Sequence, residues 1–435
     1  MSGEDEYRIQ NLKGFREFLP EESKARNEVF EKISEVVESY GFREIGTPSL
    51  EPMDLYLIKS GEELVEQTYS FEDKGGRQVT LPPEETPTRA RMVKENKDLT
   101  KPIKWYSFSK FWRYENPQKG RLREFYQVNI DIFGEDSINA DAEILAVAAD
   151  ILDALDLEEA AELRINDRNL MEGIIQAYGI EDSLVEEILD VIDDKEKMDR
   201  EEFLVQLQEL GLSRENAKVV DELTEIRGRF EGVLPKVENL IPDKEESEKA
   251  FERIKKLKGK LEQYGVLDRC KLDLSIIRGL DYYTGLVFEI FDKKGDLRAL
   301  CGGGRYNDLI QLFNGPETPA VGFAIGDAVL EELMKREGVW PEEEFETDVY
   351  VLNVSEDVRP KAVELANELR AKGYVVETDL SGRNFGNQMD YANQINAENL
   401  VIVGEKDLGQ DQVTVKDMDS GEEEKVNLDD FADYF

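Results

Sequence analysis

The chain contains 435 residues, of which 40% are hydrophobic, and acidic residues outnumber basic ones by 97 to 55. This composition is typical of a packed globular protein of about three domains, and it excludes a disordered chain. No apolar run reaches the ~18 residues that span a membrane, so a membrane partner is not expected. Two cysteines in so long a chain indicate a reducing, cytoplasmic location rather than a disulfide scaffold.

The formal net charge of −42 has two interpretations. The acidic residues either keep an ordinary surface hydrated and soluble, or they adapt the protein to high salt. In both cases nucleic acid would be repelled unless positive charge is concentrated locally. The chain also contains no histidine, which excludes a Ser-His-Asp triad, a histidine general base and any imidazole-bound metal.

The first predicted element is an amphipathic helix over 21–40, since apolar residues recur at three- and four-residue spacing and Gly41 provides a stop. A short strand follows and ends at Pro48. Between Val79 and Met92 the pattern predicts a strand, a proline-marked turn and the start of a helix.

The charge balance reverses between Lys101 and Arg123, where seven basic residues accompany a single acid, Glu115. In so acidic a chain this stretch is the candidate docking site for a polyanion. The alternative is a basic strand and loop paired with acids elsewhere, and the interleaved aromatic residues indicate that much of it is buried sheet. We favour a functional role for the basic residues.

A second apolar strand is predicted over 125–133, followed by a helix over 140–155. Residues 180–262 are rich in Glu, Lys and Leu with helical periodicity, which predicts a helical insertion between two pieces of one sheet. The sheet is expected to resume over 272–277 and to continue through 286–291.

The C-terminal part alternates element types. The predicted order is strand 348–354, helix 359–372, strand 374–378, helix 385–396 and strand 399–403. This βαβαβ pattern predicts a parallel sheet. Two further short strands, over 413–416 and 425–428, resemble a closing hairpin.

Three sets of residues resemble motifs of the class II aminoacyl-tRNA synthetases. Gly46-Thr47-Pro48 resembles motif 1, which builds the dimer interface of that class. Residues 111–115 and 123–127 resemble the two strands of motif 2. Residues 278–285, Arg-Gly-Leu-Asp-Tyr-Tyr-Thr-Gly, closely resemble a signature of histidyl-tRNA synthetases, and the resemblance extends from about Leu12 to the C-terminus.

The resemblance implies an enzyme that uses ATP to join L-histidine to histidine tRNA through histidyl-adenylate. Activation needs no protein base, because an α-carboxyl group titrates near ~3.5 and is ionised at pH 7. It does need positive charge around the α-phosphate, which guanidinium groups supply in a fixed fork. The resemblance makes Arg113 and Arg278 the catalytic residues, with Arg113 at the α-phosphate and Arg278 between the phosphate and the substrate carboxylate.

The same resemblance implies three groups of binding residues and one ion. The histidine-binding group is Glu84, Thr86, Arg113, Gln127, Asp131, Arg278, Tyr282 and Tyr283. The ATP-binding group is Arg113, Glu115, Arg121, Phe125, Arg278 and Arg305. The tRNA-binding group is Gln118, Lys119 and Arg121, and weaker anticodon candidates are Arg383, Asn384 and Asn387. Mg²⁺ is expected to accompany ATP, although carboxylates are too numerous for its ligands to be chosen from sequence.

Within the histidine group, the family pattern assigns Glu84 and Thr86 to the α-amino group and Gln127 to the main chain. Asp131 and Tyr283 match positions that read the two imidazole nitrogens, since a carboxylate and a hydroxyl can distinguish a ring with one N–H and one lone pair. Ordinary core packing is the alternative role for Tyr282, and also for Phe125, which is otherwise expected to form one face of the adenine slot.

Three positions depart from the family pattern, although the chain otherwise resembles archaeal members. Pro82 and Asn116 stand where arginine is frequent. Val329, in a segment that resembles motif 3, stands where many members carry the arginine that covers adenine and the γ-phosphate. These departures affect the triphosphate anchor more than the reaction, and Arg305 is the expected compensation.

The sequence therefore predicts an α+β fold and a homodimer. A catalytic domain with a six- or seven-stranded antiparallel sheet occupies 1–167 and 265–341, interrupted by a helical insertion over 168–264, and an α/β anticodon-binding domain occupies 346–435. Two alternatives stay open. One is a non-catalytic, synthetase-like regulatory paralogue of histidine biosynthesis that lacks the anticodon domain; the other is the glycyl, prolyl or threonyl class II synthetase.

Overall fold

The computed structural model describes residues 10–57, 66–178, 180–240, 245–277, 282–341 and 347–435. The chain forms two compact units, one of Met1–Glu17 with Arg26–Pro341 and the other of Phe18–Ala25 with Glu342–Phe435. None of the helices in these described ranges has the length and hydropathy needed to cross a lipid bilayer.

Most of the helices and strands lie before residue 341. The strands up to residue 341 are β1 (Arg43–Glu44), β2 (Glu51–Pro52), β3 (Tyr69–Glu72), β4 (Gln78–Leu81), β5 (Ile103–Trp112), β6 (Glu124–Phe133), β7 (Ala161–Asp167), β8 (Arg227–Gly228), β9 (Cys270–Asp273), β10 (Leu286–Asp292), β11 (Cys301–Arg305) and β12 (Ala320–Gly326). The helices are α1 (Pro20–Ser39), α2 (Asp54–Leu57), α3 (Thr86–Glu95), α4 (Ile138–Ala154), α5 (Arg168–Ala177), α6 (Asp182–Asp193), α7 (Arg200–Glu209), α8 (Arg214–Thr224), α9 (Phe230–Glu238), α10 (Glu245–Tyr264), α11 (Leu309–Leu312) and α12 (Asp327–Glu337).

A mixed nine-stranded sheet, in the order β1-β5-β6-β12-β11-β10-β7-β9-β8, organises the first unit. Every neighbouring pair from β5 to β7 is antiparallel, so the six central strands match the predicted sheet. The predicted size was wrong, because β1 pairs parallel to β5, and β9 and β8 extend the other edge. β1 and β8 have two residues each, too few for an alternating pattern to reveal them.

Among the described residues, six α-helices, α5 to α10, lie in the chain between β7 and β9. Because β7 and β9 are parallel neighbours, the chain has to return to the same end of the sheet, and a helical crossover is the usual way to do so. Helix α10 packs on α4, where Arg253 donates to Asp141. The central strands carry the candidate site.

The second unit has its own sheet and core. Its elements are β13 (Thr347–Asn353), α13 (Arg359–Ala371), β14 (Val376–Thr378), α14 (Phe385–Gln394), β15 (Ala397–Val403), α15 (Glu405–Leu408), β16 (Gln412–Asp417), β17 (Glu423–Asn427) and α16 (Phe431–Tyr434). The strand order is β14-β13-β15-β16-β17, with the first three strands parallel and the last two added antiparallel. The predicted βαβαβ unit with a closing hairpin is confirmed.

Candidate functional site

Two adjoining cavities lie over the central strands of the first unit. The larger has a volume of about 450 Å³ and the smaller about 70 Å³. Five residues line both cavities: Glu84, Arg113, Gln127, Gly302 and Ala324. The cavities are therefore two parts of one site, and Arg113 stands at their junction.

The larger cavity contains four of the residues predicted to bind ATP: Arg113, Glu115, Arg121 and Phe125. The Arg113 guanidinium lies 5.5 Å from the centre of the Phe125 ring, and its Nε donates to the Pro83 carbonyl at 2.9 Å. Arg121 forms an ion pair with Glu115. The motif 2 strands β5 and β6 thus place a cation and an aromatic face side by side.

The smaller cavity contains every described residue predicted to bind histidine. Besides Arg113, these are Glu84, Thr86, Gln127, Asp131, Tyr282 and Tyr283. The Tyr282 hydroxyl donates to Glu84 Oε2 at 3.2 Å, and both side chains are buried. Residues from the start of α3, from β6 and from the 282–283 segment converge here although they are far apart in sequence. The functional roles themselves remain predictions.

Asp131 is a buried carboxylate on the wall of the smaller cavity. Its Oδ2 accepts from Arg89, and its Oδ1 accepts from the Tyr306 hydroxyl. Gly322 is the antiparallel partner of Asp131 on β12. Its lack of a side chain provides the space that the Asp131 carboxylate occupies, since a β-carbon at Gly322 would overlap Oδ1. Burial raises the pKa of Asp131 while Arg89 and Tyr306 act against it, and burial together with Asp131 raises the pKa of Tyr306.

Arg89, which the sequence analysis did not identify, contacts two carboxylates that line the smaller cavity. It is fully buried, and it donates to Glu85 at 2.9 Å as well as to Asp131. Ser107 accepts from Arg89 and donates to Glu85. Although burial acts to raise it, Arg89 and hydroxyl donors hold the pKa of Glu85 below its usual range. The available signal was the presence of an arginine on the buried face of α3, four residues after Glu85.

Arg305 does not reach either cavity, although it was expected to bind ATP. Its side chain is 2% exposed and donates to Asp141 at 2.7 Å and to Asp136 at 3.2 Å, on the other side of β11. The glycines before it serve packing, since β-carbons at Gly303 and Gly304 would lie 2.5 to 2.6 Å from neighbouring atoms. The neighbouring Tyr306, which was not singled out, is the residue that lines the smaller cavity.

Arg278, the second predicted catalytic residue, lies outside the described residues. The predicted tRNA contacts lie in a loop between β5 and β6, where Gln118 and Arg121 exchange backbone hydrogen bonds of 3.0 and 2.9 Å. Lys119 forms an ion pair with Glu332 at 3.3 Å. Lys104 and Lys110 of the same basic stretch also pair with acids, so part of that charge serves the local structure.

In the second unit, the three anticodon candidates all take part in local contacts. Arg383 pairs with Asp379 at 2.9 Å and lies 4.3 Å from the Tyr391 ring centre. Asn384 caps α14 by accepting from the Asn387 backbone at 3.0 Å.

Known proteins resemble the chain along nearly its whole length. A family model described as Histidyl-tRNA synthetase matches residues 14–329, and one described as Anticodon binding domain matches residues 348–435. The Histidine--tRNA ligase of Haloarcula marismortui is 49% identical, over 98% of this chain and 97% of the relative, and that of Natronomonas pharaonis is 50% identical over 96% and 95%. A crystal structure of histidyl-tRNA synthetase from Nostoc sp. PCC 7120 covers 98% of both chains with a TM-score of 0.81 at 28% identity.

These matches address the alternative that the chain is a non-catalytic regulatory paralogue. Such a paralogue would lack the anticodon-binding domain. Here residues 348–435 match that domain, and the catalytic match extends over residues 14–329. Since both parts are present and the relatives align from end to end, the chain belongs to the histidyl-tRNA synthetase family.

Proposed function

We propose that this protein is a histidine–tRNA ligase that activates L-histidine with ATP and transfers it to histidine tRNA. One observation carries the proposal: every described residue expected to hold histidine and four of those expected to hold ATP line adjoining cavities that share Arg113. A reaction between two bound substrates requires this adjacency, because holding them together replaces a bimolecular encounter.

In the activation step, a carboxylate oxygen of histidine bonds to the α-phosphorus of ATP. The bond from that phosphorus to the bridging oxygen breaks, and pyrophosphate leaves with the electron pair. No proton is transferred, which is consistent with a chain that contains no histidine. Arg113, at the junction of the cavities, stabilises the charge that gathers on the phosphoryl oxygens. We assign the second cation to Arg278 by family resemblance.

Histidine specificity arises in the smaller cavity. Asp131 accepts the N–H of the imidazole ring, Tyr283 contacts the opposite edge, and Glu84 with Thr86 holds the α-amino group. Arg89 and Tyr306 fix the Asp131 carboxylate before substrate arrives. A buried acceptor of this kind rejects side chains without a matching donor, because the acceptor would be left unpaired. Gln127 holds the substrate main chain.

We propose that Mg²⁺ reaches the site bound to ATP. In the described part of the chain, no group of three or more acidic or cysteine side chains is placed to hold a metal ion. The wall of the larger cavity has separate carboxylates, including Glu289. Mg²⁺ commonly uses one or two carboxylates with substrate phosphates and water, so this donor set fits, and we assign Glu289 as a ligand. Mg²⁺ held there would supply positive charge beside the phosphates of ATP.

Transfer to tRNA involves both units. The loop with Gln118, Lys119 and Arg121 meets the acceptor end, where Gln118 reads the extra 5′ guanosine typical of histidine tRNA. Residues 346–435 bind the anticodon. Because the net charge is −42, these contacts have to be local rather than the result of a general positive field.

We further propose a cytoplasmic homodimer. Gly46-Thr47-Pro48 supports it, since this segment resembles the motif that forms the class II dimer interface. The domains are assigned as 1–167 with 265–341 for catalysis and 168–264 for the insertion. Light scattering on the purified protein gives the mass of the assembly, and a mass of one chain would contradict the dimer.

Aminoacylation of purified tRNA tests the function. The full-length protein, ATP and labelled histidine are expected to yield histidyl-tRNA with histidine tRNA and none with alanine tRNA. Failure to charge histidine tRNA over a wide range of salt concentrations would overturn the proposal.

A further inference from the structure

Val329 leaves the proposed ATP site without the arginine that motif 3 usually supplies. Its side chain is only 7% exposed and lies in the first turn of α12, on the wall of the larger cavity. The motif 2 loop covers it, since Gly120 sits so close that a β-carbon there would be 3.1 Å from Val329 Cγ2. Lys119, next in the loop, pairs with Glu332 one turn further along α12. This position therefore offers packing and no charge.

The two motif 2 arginines that line the larger cavity, Arg113 and Arg121, already contact other groups of the protein. Arg121 is paired with Glu115, and Arg113 is held by the Pro83 carbonyl at the junction with the smaller cavity. An ATP molecule whose α-phosphate meets Arg113 places its β- and γ-phosphates farther from that junction. Those phosphates carry most of the nucleotide's charge, and a net charge of −42 gives them no general attraction.

Arg298 is a third cation on the wall of the same cavity, and it was not singled out from the sequence. It is exposed, and within the described ranges it has no ion pair with any acid. Its backbone is fixed near α12, because the carbonyl of Leu300, two residues on, accepts from Gly326 at 3.1 Å. Gly326 is the N-cap residue of α12, and Arg298, Gly326 and Val329 all line the larger cavity.

We propose that Arg298 binds the β- and γ-phosphates of ATP and the departing pyrophosphate, in place of an arginine at position 329. The inference rests on the proposed function and adds to it a residue that holds the leaving group. Its guanidinium can donate two parallel hydrogen bonds to phosphate oxygens. Its exposed position at the cavity wall suits a group that has to release pyrophosphate after each activation.

Histidine-dependent ATP–pyrophosphate exchange with Arg298→Ala tests this role. We expect the KM values for ATP and for pyrophosphate to rise roughly 10- to 100-fold, because charge-assisted hydrogen bonds are removed. The KM for histidine should change little. Arg298→Lys keeps the positive charge but loses the planar guanidinium. Its KM values for ATP and pyrophosphate should therefore lie between those of the unchanged protein and those of Arg298→Ala. The matched control is Lys293→Ala, in the same β10–β11 hairpin, where Lys293 Nζ donates to the Glu158 carbonyl at 2.9 Å.

A second measurement separates phosphate binding from damage to the site. A sulfamoyl analogue of histidyl-adenylate has no β- or γ-phosphate, so Arg298→Ala should bind it as tightly as the unchanged protein does. Weakened binding of this analogue, or an unaltered KM for ATP, would overturn the role of Arg298. If the unchanged protein shows no histidine-dependent exchange, the proposed function itself fails, and the two failures are thus distinguishable.

Discussion

The two cavities differ in the surroundings of particular charged groups. In the smaller one, Asp131, Glu85 and Arg89 are buried and joined in one network. In the larger one, Arg298 is exposed and its guanidinium has no acidic partner among the described residues. Protein groups therefore hold the carboxylates of Asp131 and Glu85 in place, whereas the guanidinium of Arg298 can pair with an anionic ligand.

This difference follows from what each cavity has to recognise. Distinguishing histidine from other amino acids needs a donor and an acceptor at fixed positions, which a buried network provides. Binding a triphosphate needs mainly positive charge, and several arrangements of cations supply it. The smaller cavity should therefore be intolerant of substitution, and the larger one should lose activity gradually.

The largest effect is expected from Arg89→Met. This change leaves the buried carboxylates of Glu85 and Asp131 without their shared cation, so the free energy of unfolding should fall by about 3–5 kcal/mol. Denaturant titration of the variant gives this value. Arg77→Met, which removes an exposed pair with Asp73, is the control and should unfold much like the unchanged protein. Equal stability of both variants would mean that the Arg89 network is not preorganised.

Asp131→Asn tests recognition in the smaller cavity. One imidazole N–H loses its charged acceptor, at a cost of roughly 1–3 kcal/mol, so the KM for histidine in pyrophosphate exchange should rise about 10- to 100-fold. The KM for ATP should stay near its original value. An equal rise in both KM values would place Asp131 in the structural framework rather than in histidine recognition.

Arg113→Lys tests the junction of the cavities. Lysine keeps the charge but loses the planar fork that lies against Phe125, so kcat for adenylate formation should fall about 10-fold or more. Stopped-flow measurement of adenylate formation reports this step directly. If the rate is unchanged, Arg113 has a structural role.

The smallest effect is expected from Lys119→Ala combined with Arg121→Ala. Aminoacylation should become slower, and the salt dependence of tRNA binding should weaken by about one unit of slope for each phosphate that the protein no longer neutralises. Pyrophosphate exchange should persist, although Arg121 also lines the larger cavity. Loss of exchange alone, with normal tRNA binding, would assign both residues to ATP.

The residues that short motifs single out come together in the structure, and their roles stay predictions. Glu84, Gln127 and Tyr283 each lie in a recognisable segment, and the central antiparallel strands bring those segments together. Arg89 and Tyr306 both contact Asp131, which is more than 40 residues away from each of them, and no local pattern reveals that convergence; only the pairing of Arg89 with Glu85, four residues earlier, is visible locally.

Arg305 lies away from both cavities for a related physical reason. Its glycine-rich context resembles a phosphate loop, but the glycines permit close strand packing, and buried Asp141 takes up the positive charge. The edge strands of the sheet could not be predicted from the sequence either, since β1 and β8 form only where longer strands provide a pairing partner. Local sequence patterns predicted the central strands of the sheet, whereas its edge strands depend on pairing between residues that are far apart in the sequence.

ATP–pyrophosphate exchange measured with each of the twenty amino acids is the most direct test of the account. The account predicts exchange with histidine and background rates with the other nineteen, including glycine, proline and threonine. Exchange that depends on one of those three, or no exchange with any amino acid, would contradict it.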